Sequence, residues 1–278
     1  MPSTSFPHAW IHALALAVAT GLVILCAELS GLREGGVAEP EGKPEGEPVL
    51  RESEGGDLPD FRRYEDVGER KAAFFAFLRP IAEAVNEQEA ARRERLRRLG
   101  ERLETGSELS AKEREWVRSM ADRYRVPADG RPPREVVAHL LRRVDAIPVS
   151  LILAQAAKES AWGTSRFARE GNNLFGQWCF EPGCGIVPAR RGEGRSHEVR
   201  RFATVRDSVA SYVRNLNSHP RYAELRELRA RLREEGGPVT GHALAAGLDG
   251  YSEQGQAYVE SVRDLIRHND LGAVADVE

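Results

Sequence analysis

The chain has 278 residues, 41% of them hydrophobic and 30% charged, and carries a formal net charge of -3 at pH 7. That length holds one large domain or two small ones with a tail. The modest net charge conceals a segregation: residues 28 to 60 hold ten acidic against three basic residues, whereas residues 61 to 145 hold 20 basic against 16 acidic. The arginines of that second stretch alternate with glutamates instead of gathering on one face, which excludes a nucleic-acid footprint.

Trp10 to Leu29 (WIHALALAVATGLVILCAEL) is apolar apart from His12, Thr20 and Glu28, and it approaches the ~20 residues that cross a bilayer. Residues 1–30 are therefore expected to form a signal anchor or a signal peptide, the anchor being favoured because no clean small-x-small cleavage site follows. A lipoprotein signal is set aside because Leu25, not a small residue, precedes Cys26. Residues 31–59 are rich in Glu, Gly and Pro and hold too little apolar surface to offset the entropy of ordering, so a disordered linker is expected.

Residues 60–145 are expected to form a helical region. Phe74, Phe77, Leu78, Ile81 and Val85, then Leu96, Leu99 and Leu103, recur at helical steps and predict a long helix that Gly106 interrupts. Ser110 and Glu113 spell a capping box before Trp116, Val117 and Met120. Pro132 and Pro133 start a further helix carrying Val136, Val137, Leu140 and Leu141.

Residues 146–272 have another texture. Val149 to Ala157 is apolar on every side, as befits a helix surrounded by protein. Between Gly171 and Phe202, Gly, Pro and charged residues surround the short β-prone pieces Ile186-Val187 and Glu198-Val199, which predicts a small hairpin-like lobe. Thr204 and Asp207 cap a helix with Val205, Val209, Val213 and Leu216 on one side, and two more helical patterns follow over 220–234 and 255–269. The fold class is mainly α with a minor β lobe.

Glu159 closes the apolar central helix, where the negative pole of the helix dipole and burial beside Trp162 would both raise its pKa. Such a carboxyl suits a general acid for glycoside cleavage. The competing reading is a surface carboxylate at a frayed helix end, paired with Lys158 or Arg166. Cys179 and Cys184 lie close enough for a short loop to bridge, and an oxidising compartment would let them form a disulfide. Zinc bound by this pair and His197 is the rival, weakened by the lack of a fourth ligand. No metal or other cofactor is expected.

Residues 154–178 (AQAAKESAWGTSRFAREGNNLFGQW) resemble the signature of bacterial glucosaminidase domains: Glu-Ser-x-Trp-Gly-x-Ser, then Ala, then Asn-Leu-Phe-Gly. The similarity continues through RFATVRDSVASYVRNLNSHPRY and GYSEQGQAYVESV, so it runs from about Ala146 to Leu271. CFEPGCG, NLNSHPRY, DRYRV and FRRYEDVGERKAAFFAFLRPI look most like the Bax-type subgroup of Gram-negative bacteria.

The resemblance implies a lysozyme-like α lobe and a small β lobe with a groove between them. It also implies hydrolysis of the β-1,4 bond after N-acetylglucosamine in peptidoglycan glycan strands, with Glu159 as the acid. A second carboxylate would come from the β lobe, from Glu181, Glu193 or Glu198; Glu198 is preferred because it precedes Phe202 on a predicted strand. His197 stands where the family has a Thr before that Glu. Tyr251 matches a tyrosine near the acid, with a turn tyrosine facing the core as the alternative. Trp162, Phe175 and Trp178 are expected to meet sugar faces, and Asn173 and Gln177 to bond substrate, unless they serve the core or local turns. The expected partners are glycan strands and the inner membrane, with the protein at its periplasmic face. A lytic transglycosylase and a non-catalytic wall-binding scaffold are the alternatives, and what partner residues 60–145 meet is left open.

Overall fold

The computed structural model describes residues 58–189 and 196–273, together with Gly56, Arg191 and Gly194. The expected membrane segment and nearly all of the expected linker lie outside the described residues. Among the described residues, no helix is long and apolar enough to cross a membrane.

Helix α1 (Val67–Glu104) starts where the Asp66 carboxylate accepts from Glu69 N, and it runs for 38 residues, about 57 Å at 1.5 Å per residue. Pro80 lies inside it without ending it, and its exposed ring faces neither core. Gly106, at φ +83°, follows the last turn and supplies the left-handed conformation that stops the helix.

Because α1 is so long, its apolar face enters two cores. Phe74, Leu78, Ile81 and Val85 join the main core, while Leu96 and Leu99 join a second one with α2 (Ala111–Arg123) and α3 (Pro133–Arg143). The capping box of Ser110 and Glu113 forms as its spacing predicts, and so does that of Thr204 and Asp207. Pro132 caps α3, leaving Pro133 at its first helical position, where the missing N–H costs nothing.

Helix α4 (Val149–Ser160) is the central helix: every residue from Val149 to Ala157 is buried, surrounded by α1, α8 (Gly241–Leu244) and α9 (Gln256–His268). Helix α6 (Val205–Ser218) adds Val209, Tyr212 and Val213 to the same core. The helical pattern over 220–234 resolves into a 3-10 turn, Pro220–Tyr222, and α7 (Ala223–Glu234). Helix α5 (Arg166–Gly171) and the 3-10 segment Ala245–Tyr251 carry no sequence periodicity long enough to foresee.

The β lobe departs from a simple hairpin. Strands β1 (Trp178–Cys179), β2 (Gly185–Ile186) and β3 (Glu198–Arg200) form an antiparallel sheet in the order β1-β3-β2, with Trp178 opposite Val199 and Gly185 opposite Arg200. The last strand occupies the middle, so it binds both edges at once. The Cys179–Cys184 disulfide forms in the connection between the two edge strands.

Buried polar contacts join the two cores. Asn86 on α1 donates to Ile147 O at 2.7 Å and accepts from Ile147 N at 3.1 Å, satisfying both backbone groups before the central helix. Asp145, 3% exposed, is approached by Arg93 of α1 at 3.6 Å and Arg229 of α7 at 3.4 Å, and is bonded by Arg233. Its carbonyl accepts from Asn217.

Candidate active site

Glu159 occupies the last turn of α4 and is half-buried. Its Oε1 accepts a 2.8 Å hydrogen bond from the Tyr258 hydroxyl on α9. That hydroxyl in turn accepts at 2.9 Å from Nε2 of Gln155, one turn earlier on α4, and Gln155 Oε1 accepts from the Tyr212 hydroxyl of α6. A directed chain therefore runs Tyr212 to Gln155 to Tyr258 to Glu159, and its first three members are at most 1% exposed.

Desolvation dominates the carboxyl's titration. Burial raises the Glu159 pKa above the ordinary carboxylate value, and neither the Tyr258 hydrogen bond nor the nearby Lys158 charge cancels it. The end of α4 adds the negative pole of its dipole in the same direction. The result is a carboxyl biased toward its protonated form and given one well-placed donor for its ionised form.

Trp162 turns toward α1. Ala161, Trp162 and Gly163 take positive φ values in succession (50°, 59° and 74°), so the chain reverses directly after α4. The reversal carries the indole onto α1, where it meets Phe74 and Phe75 edge-on at 6.0 and 5.2 Å and lies under the Lys71 ammonium. Trp162 is absent from the groove lining, so the expected role of sugar platform does not fall to it. Gly163 is required here: a Cβ would stand 2.6 Å from the Phe61 ring.

In front of Glu159 lies a groove of about 680 Å³. The β lobe contributes Trp178 and Phe180, α6 contributes Ser211 and Asn215, and Tyr222 and Tyr251 come from the turns beyond. Tyr251 stacks on Tyr258 with centroids 5.1 Å apart, and its hydroxyl donates to Phe175 O at 3.2 Å. Burial and the neighbouring Glu159 carboxylate hold its phenol well above the usual pKa, so it stays a neutral donor. Phe175 stacks on Tyr212 at 3.9 Å and is 4% exposed, making it groove wall and core together. Trp178 is half-buried and stacks on His197 at 4.1 Å.

Two further expectations are corrected. Asn173 is consumed by its own turn: its Nδ2 donates to Gln177 O and Arg200 O, and its Oδ1 accepts from Phe175 N and Gln177 N. Glu198 accepts from Gly183 N at 3.0 Å and Gly185 N at 2.8 Å, which ties the disulfide loop to β3 and lowers its pKa. It does not line the groove. A carboxylate held by two backbone donors is a poor base. Gln177 lines the groove, with its amide satisfied by Ser211 Oγ, Tyr212 N and Ser208 O when the oxygen faces the first two. Glu181 is exposed outside the groove lining, and Glu193 lies outside the described residues. The disulfide removes Cys179 and Cys184 as zinc ligands.

Sequence reasoning missed Tyr258, Gln155, Tyr212 and the 58% exposed Phe180. Gln155 carried a signal: it is a long polar side chain within an otherwise apolar run, four residues before Glu159 and hence on the same helix face.

The family described as mannosyl-glycoprotein endo-beta-N-acetylglucosaminidase matches residues 135–271. Protein Bax of Escherichia coli K12 is 37% identical over 201 residues, covering 72% of this chain and 70% of its own length. The chain belongs to the Bax-type glucosaminidase family. No solved structure matches it. The glucosaminidase match takes in the whole Tyr212-to-Glu159 chain and every groove residue except Asp122, Arg123 and Arg125.

Proposed function

We propose that this glucosaminidase hydrolyses the β-1,4 bond after N-acetylglucosamine in peptidoglycan glycan strands, with Glu159 as general acid. The observation that carries the reading is a desolvated carboxyl in the lining of a groove of about 680 Å³, bonded to a buried tyrosine. Protonated Glu159 gives its proton to the glycosidic oxygen as the bond to the anomeric carbon breaks. Tyr258 faces the newly formed carboxylate and stabilises it, while Tyr251 on the groove wall orients water or the N-acetyl group. Water then adds at the anomeric carbon, and the proton it releases returns to Glu159. Trp178, Phe175 and Phe180 give apolar faces for sugar rings, and Gln177 a polar edge.

The test is clearing of purified sacculi. Glu159→Gln is expected to abolish clearing while leaving cosedimentation with sacculi intact, and clearing by that variant at the wild-type rate removes Glu159 from the mechanism. A second reading, a lytic transglycosylase, draws on the same observation, because one isolated acid suffices when the sugar's own hydroxyl attacks. Product mass separates them: a reducing N-acetylglucosamine end supports hydrolysis, an anhydro-muramyl end supports the alternative.

The same proposal takes residues 146–272 as the catalytic domain and places it at the periplasmic face of the inner membrane, tethered through residues 1–59. The apolar run Trp10–Leu29 and the Cys179–Cys184 disulfide support that address. Recovery of the protein in the soluble fraction with both thiols free overturns it.

A further inference from the structure

The groove does not end with the glucosaminidase match. Asp122, Arg123 and Arg125, from the end of α2 and the turn after it, also line it. Tyr124, between the two arginines, is wholly buried, and its hydroxyl donates to Glu89 of α1 at 2.6 Å. Arg143 then clamps this turn to the groove wall: its Nη1 donates to Tyr124 O at 2.7 Å and to Ser218 O, at the end of α6, at 2.8 Å. With Tyr124 fixed from both ends, Arg123 and Arg125 are set in the groove lining while both stay exposed, with Arg125 close to His219.

Arginines outnumber carboxylates in the lining of the groove as a whole: Arg123 and Arg125 join Arg200, Arg214 and Arg221, against Asp122, Glu159 and Glu253. Burial, and after it the charges of Arg125, Arg221 and Arg226, lower the His219 pKa, so the ring does not add to the positive field of the arginines at neutral pH. Arg125 also holds φ +57°, a conformation that glycine adopts at less cost. The Arg125 N–H bond to Asp122 O at 3.2 Å and the Val126 N–H bond to Ala121 O at 2.8 Å fix that turn.

We infer that the helical region before residue 146 completes the groove as an anion subsite, in which Arg123 and Arg125 bind carboxylates carried by the glycan strand. Given the proposed substrate, on which this inference rests, two sources share that chemistry: the lactyl carboxylate of a sugar that carries no peptide, and the peptide's own carboxylates where an amide bond has consumed the lactyl group. Guanidinium forks suit either, and they would favour substituted strands over a neutral oligosaccharide of the same backbone.

Binding in a Glu159→Gln background isolates this subsite from catalysis. Three glycans serve as probes: peptide-bearing strands, strands stripped of peptide by an amidase, and neutral N-acetylglucosamine oligomers. Arg123→Gln with Arg125→Gln is expected to weaken binding of carboxylate-bearing strands relative to the neutral oligomer by roughly five- to tenfold at low salt, and less at high salt. The double reversal to Glu deepens the loss. A loss confined to stripped strands assigns the lactyl group, a loss confined to peptide-bearing strands assigns the peptide, and a loss on both relative to the neutral oligomer assigns carboxylates of either source. An equal change on neutral and charged glycans, no change on any, or a reversal no worse than the Gln pair overturns the inference. Failure of the wild type to clear sacculi would instead strike the proposed hydrolysis and leave this binding result standing.

Discussion

The end of α4 and the β lobe each hold a buried or half-buried glutamate, and the two surroundings push them in opposite directions. Glu198 receives two backbone N–H groups and is held below the ordinary carboxylate range. Glu159 receives one phenolic hydroxyl in a desolvated pocket and is held above it. Proximity to a groove on a sequence map therefore says little about a carboxylate's task. The number and kind of donors aimed at it say more.

Activity is the strongest way to break this contrast. Glu159→Gln is expected to lower the rate of glycan cleavage by about 10²- to 10⁴-fold, the range for loss of general acid catalysis, whereas Glu198→Gln retains most of the rate; equal losses in a sacculus-clearing assay would erase the distinction. Tyr258→Phe sharpens it from the α4 side. That change leaves the buried Gln155 Nε2 without its acceptor, at a cost of about 1–3 kcal/mol in denaturant unfolding. It also removes the donor that favours ionised Glu159, so the alkaline limb of the pH–rate profile moves to higher pH. On the β-lobe side, replacing Cys179 and Cys184 by Ser is expected to cost about 2 kcal/mol, the loop-closure value for so short a ring, read as a lower unfolding midpoint under oxidising conditions.

The smallest effects are in the pH dependence of stability, and their signs differ. Glu159 binds its proton more tightly folded than unfolded, so its contribution is present below the ordinary carboxylate value and is lost as pH rises through the raised one. Glu159→Gln should therefore exceed the wild type in stability at neutral pH, with the gap closing in acid. Glu198 is the reverse case: its contribution is present at neutral pH and is lost as pH falls through the lowered value. Glu198→Gln should melt below the wild type at neutral pH and converge with it in acid. Melting curves of both variants that moved in the same direction would contradict these assignments.

The helical frame was legible because its signals are local: apolar steps on α1 and α6, capping boxes at Ser110 and Thr204, and the all-apolar face of α4. The sheet order was not, since a three-residue central strand binding two-residue edges leaves no periodicity to read. At the site, Glu159 and Tyr251 were visible through motif similarity and do meet at the groove. Trp162 and Glu198 were misjudged for physical reasons absent from spacing. Two consecutive left-handed residues carry the indole to α1, and two glycine N–H groups engage the carboxylate. Tyr258 was hidden because an aromatic at helical spacing is ordinarily core, and this one is both core and donor.

Asp145 carries a practical consequence for anyone expressing the proposed catalytic half alone. A fragment cut to begin at 146 would lose the acidic partner of Arg229, a side chain 2% exposed, and strand a cation inside the protein. It would also lose Asn86, whose amide covers the backbone of Ile147. A truncation should therefore keep the long first helix, which carries Asn86 and Arg93.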